Sequence, residues 1–377
     1  MKTRPARPIL FGSMLLLAFP ALMLLALAFG ETGYISPAAL FRFLFAGVAG
    51  DAGIEAQIAQ LRLYRALCAA GAGGALALGG ALAQGLFRNP LAEPGLLGVS
   101  GGAALGAMIG IAFLGGYGSH YAAALAWNST LPSLGLLTIP LLSLLGAFAA
   151  ALFVYRWSSR QGNISIATFL LTGLALNSLA GALMALLQML LLDDFEITRA
   201  MLSWGFGTFN DRSAAHVWIV WSGVACALAA VPFLGLELDL LASGEEDARA
   251  LGANVARVKL LALLALALAT ASAVSVCGQI AFVGLLVPHA ARFWSGPRHR
   301  PLMLNSFLLG ALLLLGVVVF QNGFCPWLGG VLAESGSAKL SLLARRLGSL
   351  QPGIMTSLIG APFFMLLLLR QNSGVRP

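Results

Sequence analysis

The sequence predicts an all-α polytopic membrane protein, ten transmembrane helices in a single domain over residues 1–377. Three observations lead there. Hydrophobic residues make up 59% of the chain and charged residues only 10%, against about 25% charged in an ordinary soluble domain. Apolar runs of spanning length recur, such as ILFGSMLLLAFPALMLLALAFG (9–30) and LLALLALALATASAVSV (260–276). A hydrocarbon core of ~30 Å takes about 20 such residues per helix, and only a helix satisfies every backbone group within one segment. Third, the basic residues fall unequally on the two sides of the implied membrane.

Taken in order, the spans are about 9–30, 66–86, 95–114, 136–156, 164–192, 213–234, 257–276, 279–296, 302–320 and 354–370. The first is too long for a signal-peptide core and lacks a convincing cleavage site, so it is expected to be retained. With the N-terminus in the cytoplasm, ten crossings return the C-terminus there. Fourteen of the 22 basic residues then lie inside, as the positive-inside rule asks. The other eight, Arg42, Arg62, Arg65, Arg199, Arg212, Lys339, Arg345 and Arg346, lie outside and need reasons of their own. The net charge of +8 is spread along the chain and gives no sign of a nucleic-acid partner.

Between the second and third spans stands RNPLAEPGLLGVSGG (88–102), with more backbone punctuation than a turn needs. Pro94 suits a first helical turn, where it has no N–H to lose. Gly98, Gly102, Gly106 and Gly110 recur every fourth residue and form a bare stripe for close helix packing in lipid. A second polar stretch, 235–259, contains a short cytoplasmic helix, with Ser243 and Glu246 spaced as a capping box, acids in the first turn and Gly252 as the stop. It reads as a docking element or as a solvated connector.

Chemistry is mostly excluded. The four cysteines stand singly, three of them in or beside apolar runs, where Cys is a small hydrophobe; no disulfide framework or metal cluster is expected. All fourteen acids can be placed in loops or at span ends, which disfavours an ion-coupled carrier. No G-x-x-x-x-G-K-[ST] phosphate cradle exists, because the only lysines are Lys2, Lys259 and Lys339. Any ATP must be hydrolysed elsewhere. GVSG (98–101) matches the short pattern of rhomboid intramembrane serine proteases, but the activating partner of Ser100 would have to be His289, at what looks like a span end.

RLYRALCAAGAGGALALGGALAQGLFRNPLAEPGLLGVSGGAALGA (62–107), LLASGEEDARALGANVARVKLL (240–261), GQIAFVGLLVPHAARFWSGPRHRPL (278–302) and PGIMTSLIGAPFFMLLLLR (352–370) together resemble the FecCD-type membrane permeases of type II ABC importers, which serve cobalamin, haem and ferric siderophores. The resemblance implies a homodimer of ten-helix subunits in the bacterial inner membrane, both termini cytoplasmic, with two ATP-binding cassette subunits and a periplasmic substrate-binding protein. ATP and Mg would be used by the cassette subunits; no cofactor or metal is expected on this chain. Arg62 and Arg65 match the outer docking arginines of the family, and Arg345 or Arg346 a third; interfacial anchoring is the plainer alternative. Asn89 and Leu91 match one part of a cytoplasmic gate, Ser165 and Ile166 the other. Gly244, Glu245, Glu246, Asp247, Arg249, Ala250, Leu251 and Gly252 match the helix gripped by the ATPase. Two departures stand out: Tyr64 replaces a family proline, and 321–353 is about 20 residues longer than the family's connection, enough for an extra periplasmic helix. For cargo the resemblance favours an iron chelate, haem or ferric siderophore, over cobalamin. Met184, Gln188, Phe363 and Phe364 are candidates for the path, although Met in a membrane helix is commonly ordinary core.

Overall fold

The computed structural model describes residues 6–30, 33–46, 54–114, 134–160, 163–164 and 166–372. Ser165 and most of the connection 126–135 lie outside the described residues, so the second half of the expected gate is represented only by the backbone of Ile166. Among the described residues the fold is all-α apart from two two-residue hairpins, β1 (Phe29–Gly30) with β2 (Gly33–Tyr34) and β3 (Ser159–Arg160) with β4 (Asn163–Ile164).

The centre is α3 (Ile54–Phe87), a 34-residue helix that runs unbroken through Tyr64, where a proline would have removed a backbone donor. Around it stand α1 (Ala6–Ala28), α8 (Ala214–Ala242), α10 (Val255–Cys277), α11 (Val283–Ser295) and α12 (His299–Val319). At its glycines α3 offers them bare backbone: a Cβ at Gly80 would collide with the Gly284 backbone, and one at Gly73 with Gly310. Backbone-to-backbone approach of this kind is how helices gain contact in lipid, where apolar character alone gives no preference for the inside. α8 runs parallel to α3, since Gly71 meets Val220 and Gly85 meets Leu238.

A second group, α4 (Val99–Leu114), α5 (Leu134–Ser158) and α6 (Ile166–Leu190), leans on this centre. The glycine stripe does what its spacing predicts: Gly102 and Gly106 lie against the backbone of Gly146 and Leu142 on α5, and Gly110 against Ile139. Gly98 belongs to the turn before the helix, with φ +80°. α2 (Pro37–Ala46) and α7 (Phe195–Gly205) are short surface helices. Asp194 caps α7 by accepting the N–H groups of Glu196 and Ile197 at 3.0 and 3.1 Å.

All ten expected segments carry helix, but seven described helices are long and apolar enough to cross a membrane, or eight with a bent pair counted as one. α4 and α11 fall short. α11, with 13 residues, spans roughly 20 Å. Irregular chain occupies the missing depth. After a left-handed turn at Arg88 (φ +50°) the chain folds back along α3, and Pro94 opens a 3₁₀ turn (Pro94–Leu97) packed on Gly79 and Gly284. Gly80 is seven residues, about 10 Å, from the end of α3. Such backbone is tolerated at membrane depth where protein buries it.

The lengthened segment forms two helices rather than one. α12 continues through a π turn (Phe320–Phe324) into α13 (Cys325–Glu334), and α14 (Ala338–Gly348) packs back along it before α15 (Pro352–Asn372). α14 meets α15 at 94°. The expected capping box does not form. Ser243 Oγ bonds the Leu240 carbonyl instead, and Gly244 (φ 136°) is the N-cap of the short helix α9 (Glu245–Ala250). The stop is as expected, with Gly252 at φ +91°.

Candidate transport path and its two faces

The α3–α8 alignment gives the bundle two distinguishable ends. α9 and the RNPLAEP turn share one; the start of α3 and the end of α12 share the other.

At the α3-start end, Arg62 and Arg65 have opposite fates. Arg62 is buried, and its guanidinium donates to the carbonyls of Leu27, Ala28 and Gly33 at 2.9, 2.8 and 2.8 Å. Leu27 and Ala28 end α1, where carbonyls have no partner within the helix and a cation is favoured. Arg62 is therefore a clamp on the α1 end, which corrects its expected place on an accessible docking face. Arg65 instead lines a cavity of about 480 Å³ with Arg199, Asn210, Gln321 and the turn 348–352. Gln321 closes one side by donating to the Leu350 carbonyl. Arg345 and Arg346 are exposed in the last turn of α14, the stem of Arg345 lying on Gly329.

In the interior, two helix beginnings converge on a cavity of about 240 Å³ lined by Glu93, Ser100, Asn177, Met184, Gln279 and Gly284, among others. Glu93 Oε1 accepts the Phe282 N–H at 2.7 Å, just where α11 starts. Asn177 on α6 donates to the Gly95 carbonyl at 2.7 Å and accepts the Gly101 N–H at 3.2 Å. Glu93 does lie in a loop, as expected, but that loop packs back onto α3 and α11 and leaves its side chain only partly exposed. Glu93 reads as a loop residue because the loop's fold-back depends on distant glycines. Its carboxyl is engaged by a backbone donor at a helix start. Sequence reasoning also missed Asn177, although an amide side chain within an apolar span is a signal in itself.

Met184, among the path candidates, lines this cavity. Gln188 is turned to Met108, Nε2 to sulfur 3.6 Å. Phe363 packs on the His289 ring, centroids 5.8 Å apart, and Phe364 is half-buried. Ser100 and His289 are not joined by a hydrogen bond, and His289 Nδ1 has no partner among the described residues, so no protease dyad is assembled. Cys68, Cys277 and Cys325 are buried, Cys226 is exposed, and all four are free; no metal-binding group of His, Cys, Asp or Glu is found among the described residues.

At the α9 end, Asn89 is exposed and folds its side chain onto the Leu91 N–H at 2.9 Å, a local turn that fixes RNPLAEP. Glu245 on α9 accepts from Lys259 on α10 at 2.7 Å and lies 3.6 Å from Arg249. Lys259 is buried, so this pair links the short helix to a central span. Asp239 on α8 takes both the backbone N–H and the ring Nδ1 of His299, at 2.9 and 2.7 Å, fastening the start of α12. Neither link was foreseen from sequence.

The described residues thus form a broken-helix interior between a cavity lined by Arg65 and Arg199 and a salt-bridged surface helix. The profile described as the FecCD transport family matches residues 15–326. The chain belongs to the FecCD transport family. Among FecCD relatives, the hemin transport system permease of Yersinia pestis is 34% identical over 370 residues, 95% of this chain and 96% of its own. The cobalamin import system permease of Halobacterium salinarum is 35% identical, covering 82% and 73%. The ferric enterobactin transport system permease of Escherichia coli is 32% identical, covering 84% and 83%. A solved metal-chelate type ABC transporter in an inward-facing conformation aligns with a TM-score of 0.71 and 27% identity over 95% of this chain and 98% of the other. As a FecCD member the chain is a multi-pass membrane permease.

Proposed function

We propose that this chain is the permease subunit of an ATP-driven importer that carries an iron chelate, haem or a ferric siderophore, from the periplasm to the cytoplasm across the bacterial inner membrane. The observation that carries the reading is α9, tied by the buried Lys259–Glu245 pair to α10. A surface helix so fastened passes a push from a partner into the interior, and the chain has no nucleotide cradle of its own. Two cassette subunits supply that push with ATP and Mg. They grip the stretch from Gly244 to Gly252, with Glu246, Asp247, Ala250 and Leu251 among its contacts, and both termini lie on their side.

A second copy of this chain completes the path. The exposed leucines of α6 and α15 supply the apolar surface for it. A periplasmic binding protein presents carboxylates to Arg65, Arg345 and Arg346, where charge-assisted pairs form. The constriction on the cytoplasmic side is set by Asn89 and Leu91 with Ser165 and Ile166. Haem is favoured among chelates by the hemin permease relative, 34% identical over 95% of this chain. Cobalamin is the second reading, favoured by the halobacterial relative.

The test is ATPase stimulation of the reconstituted complex by binding protein loaded in turn with haem, a ferric siderophore and cobalamin. One ligand should raise turnover severalfold over the unloaded binding protein. Equal turnover with all three and with none would reject the importer reading.

A further inference from the structure

On the flank of the bundle, α5, α6 and α10 leave a groove of about 310 Å³. That is in the range of ligand clefts, roughly 300–1,000 Å³. Its lining is aliphatic and aromatic, with the Tyr155 hydroxyl the one polar side-chain group. The groove has a direction. α5 and α10 run antiparallel along it, with Tyr155 and Leu260 at one end and Phe148 and Ala267 at the other, seven residues and about 10 Å deeper. Tyr155 is three residues from the end of α5 and Leu260 five from the start of α10, so the groove opens at the α9 end.

Two arginines stand there. Arg156 follows Tyr155, and Arg257 lies one turn before Leu260. Both are exposed, and neither forms an ion pair with a described residue. On the neighbouring α9, Glu245 is already shared between Lys259 and Arg249. Along the groove Leu152 and Leu264 remain more than half exposed, at 61% and 52%. An apolar slot within the spans and two such cations at its mouth match one kind of molecule, with a hydrocarbon tail and a negative head.

We infer that this groove holds an acyl chain of an anionic glycerophospholipid from the leaflet on the α9 side, whose phosphate pairs with Arg156 and Arg257. Basic residues at the mouth of a crevice between spans are suited to such headgroups, and guanidinium to phosphate in particular. A second copy of this chain fits less well, because a two-fold contact through this flank would set the same arginines against each other without an acid between them. The site requires only that the chain spans a membrane, so it stands or falls apart from the cargo. It also touches the coupling path, since Leu260 directly follows Lys259 on α10.

The experiment is native mass spectrometry of the purified full chain, given phosphatidylglycerol and phosphatidylcholine with identical acyl chains. One phosphatidylglycerol per chain should survive detergent that strips phosphatidylcholine. Arg156→Gln with Arg257→Gln should weaken its retention by about tenfold, as loss of charged hydrogen bonds implies, at two exposed positions where folding is not at stake. Ala151→Phe, which fills the groove from α5, should lower retention with both arginines intact. Equal retention of the two lipids, or retention unchanged in both variants, overturns the inference. So does efficient chain-to-chain crosslinking of a Leu264→Cys variant, which would make the occupant a second copy.

Discussion

α3 and α6 are both membrane-spanning helices of nearly equal mean hydropathy, yet 94% of the most apolar stretch of α3 is buried and only 11% of that of α6. Their side chains explain the contrast. Between 66 and 86 α3 is mostly alanine and glycine, so neighbouring backbones settle directly onto it. α6 is studded with leucines that hold neighbours away, and Leu171, Leu179 and Leu190 stay largely exposed. In lipid the tails are as apolar as leucine, so burial follows small size and specific polar bonds rather than apolar character. α6 reaches the interior through the polar contacts of Asn177 and, toward its end, of Gln188 with Met108.

The contrast can be broken most forcefully with leucine at a glycine of each helix. Gly80→Leu drives a side chain into the Gly284 backbone and should cost more than about 3 kcal/mol, at the upper edge of overpacking, with loss of folded chain from the membrane fraction. Gly181→Leu on α6 meets nothing within 4 Å of its Cβ and should leave yield and thermal melting in detergent unchanged. If both variants fold equally well, α3 is not the packed centre.

A smaller effect separates two arginines on α3 itself. Arg62→Ala removes the donor from the carbonyls of Leu27 and Gly33, while Ala28 keeps the Ile35 N–H, and should cost about 1–3 kcal/mol, seen as a lower melting temperature. Arg65→Ala should melt like the parent chain and bind the periplasmic partner more weakly in a pull-down. Next comes Asn177→Leu. Interhelical hydrogen bonds in membranes average about 0.6 kcal/mol, so two such bonds predict a loss near 1 kcal/mol. The smallest effect on stability belongs to Lys259→Met, which replaces a buried cation by an apolar isostere and frees Glu245 to water; its signature is ATPase activity that no longer responds to the binding protein.

Several features were legible in the sequence. The 244–251 helix appears at 245–250 with its glycine stop, because acids in a first turn and glycine beyond the last are local signals. The stripe from Gly102 to Gly110 packs on α5 because period four is itself the geometry of one helix face. Other features were hidden. Ser243 and Glu246 have capping-box spacing, yet Ser243 already ends α8 as its C-cap, so Gly244 starts α9. Glu93 looked like a surface acid, because nothing within RNPLAEP says that the chain turns inward. Arg62 and Arg65 are three residues apart on one helix; which of them clamps and which lines a cavity depends on where α1 ends.

By itself, then, the sequence determined the membrane-spanning all-α class, the helix order and the family motifs, since each rests on hydropathy, period or local punctuation. Tertiary structure alone decided which spans lie inside, how deep Glu93 goes, and which charged groups are already partnered. Depth and partnership are settled where two distant segments meet, and no local pattern in either segment records the other's position.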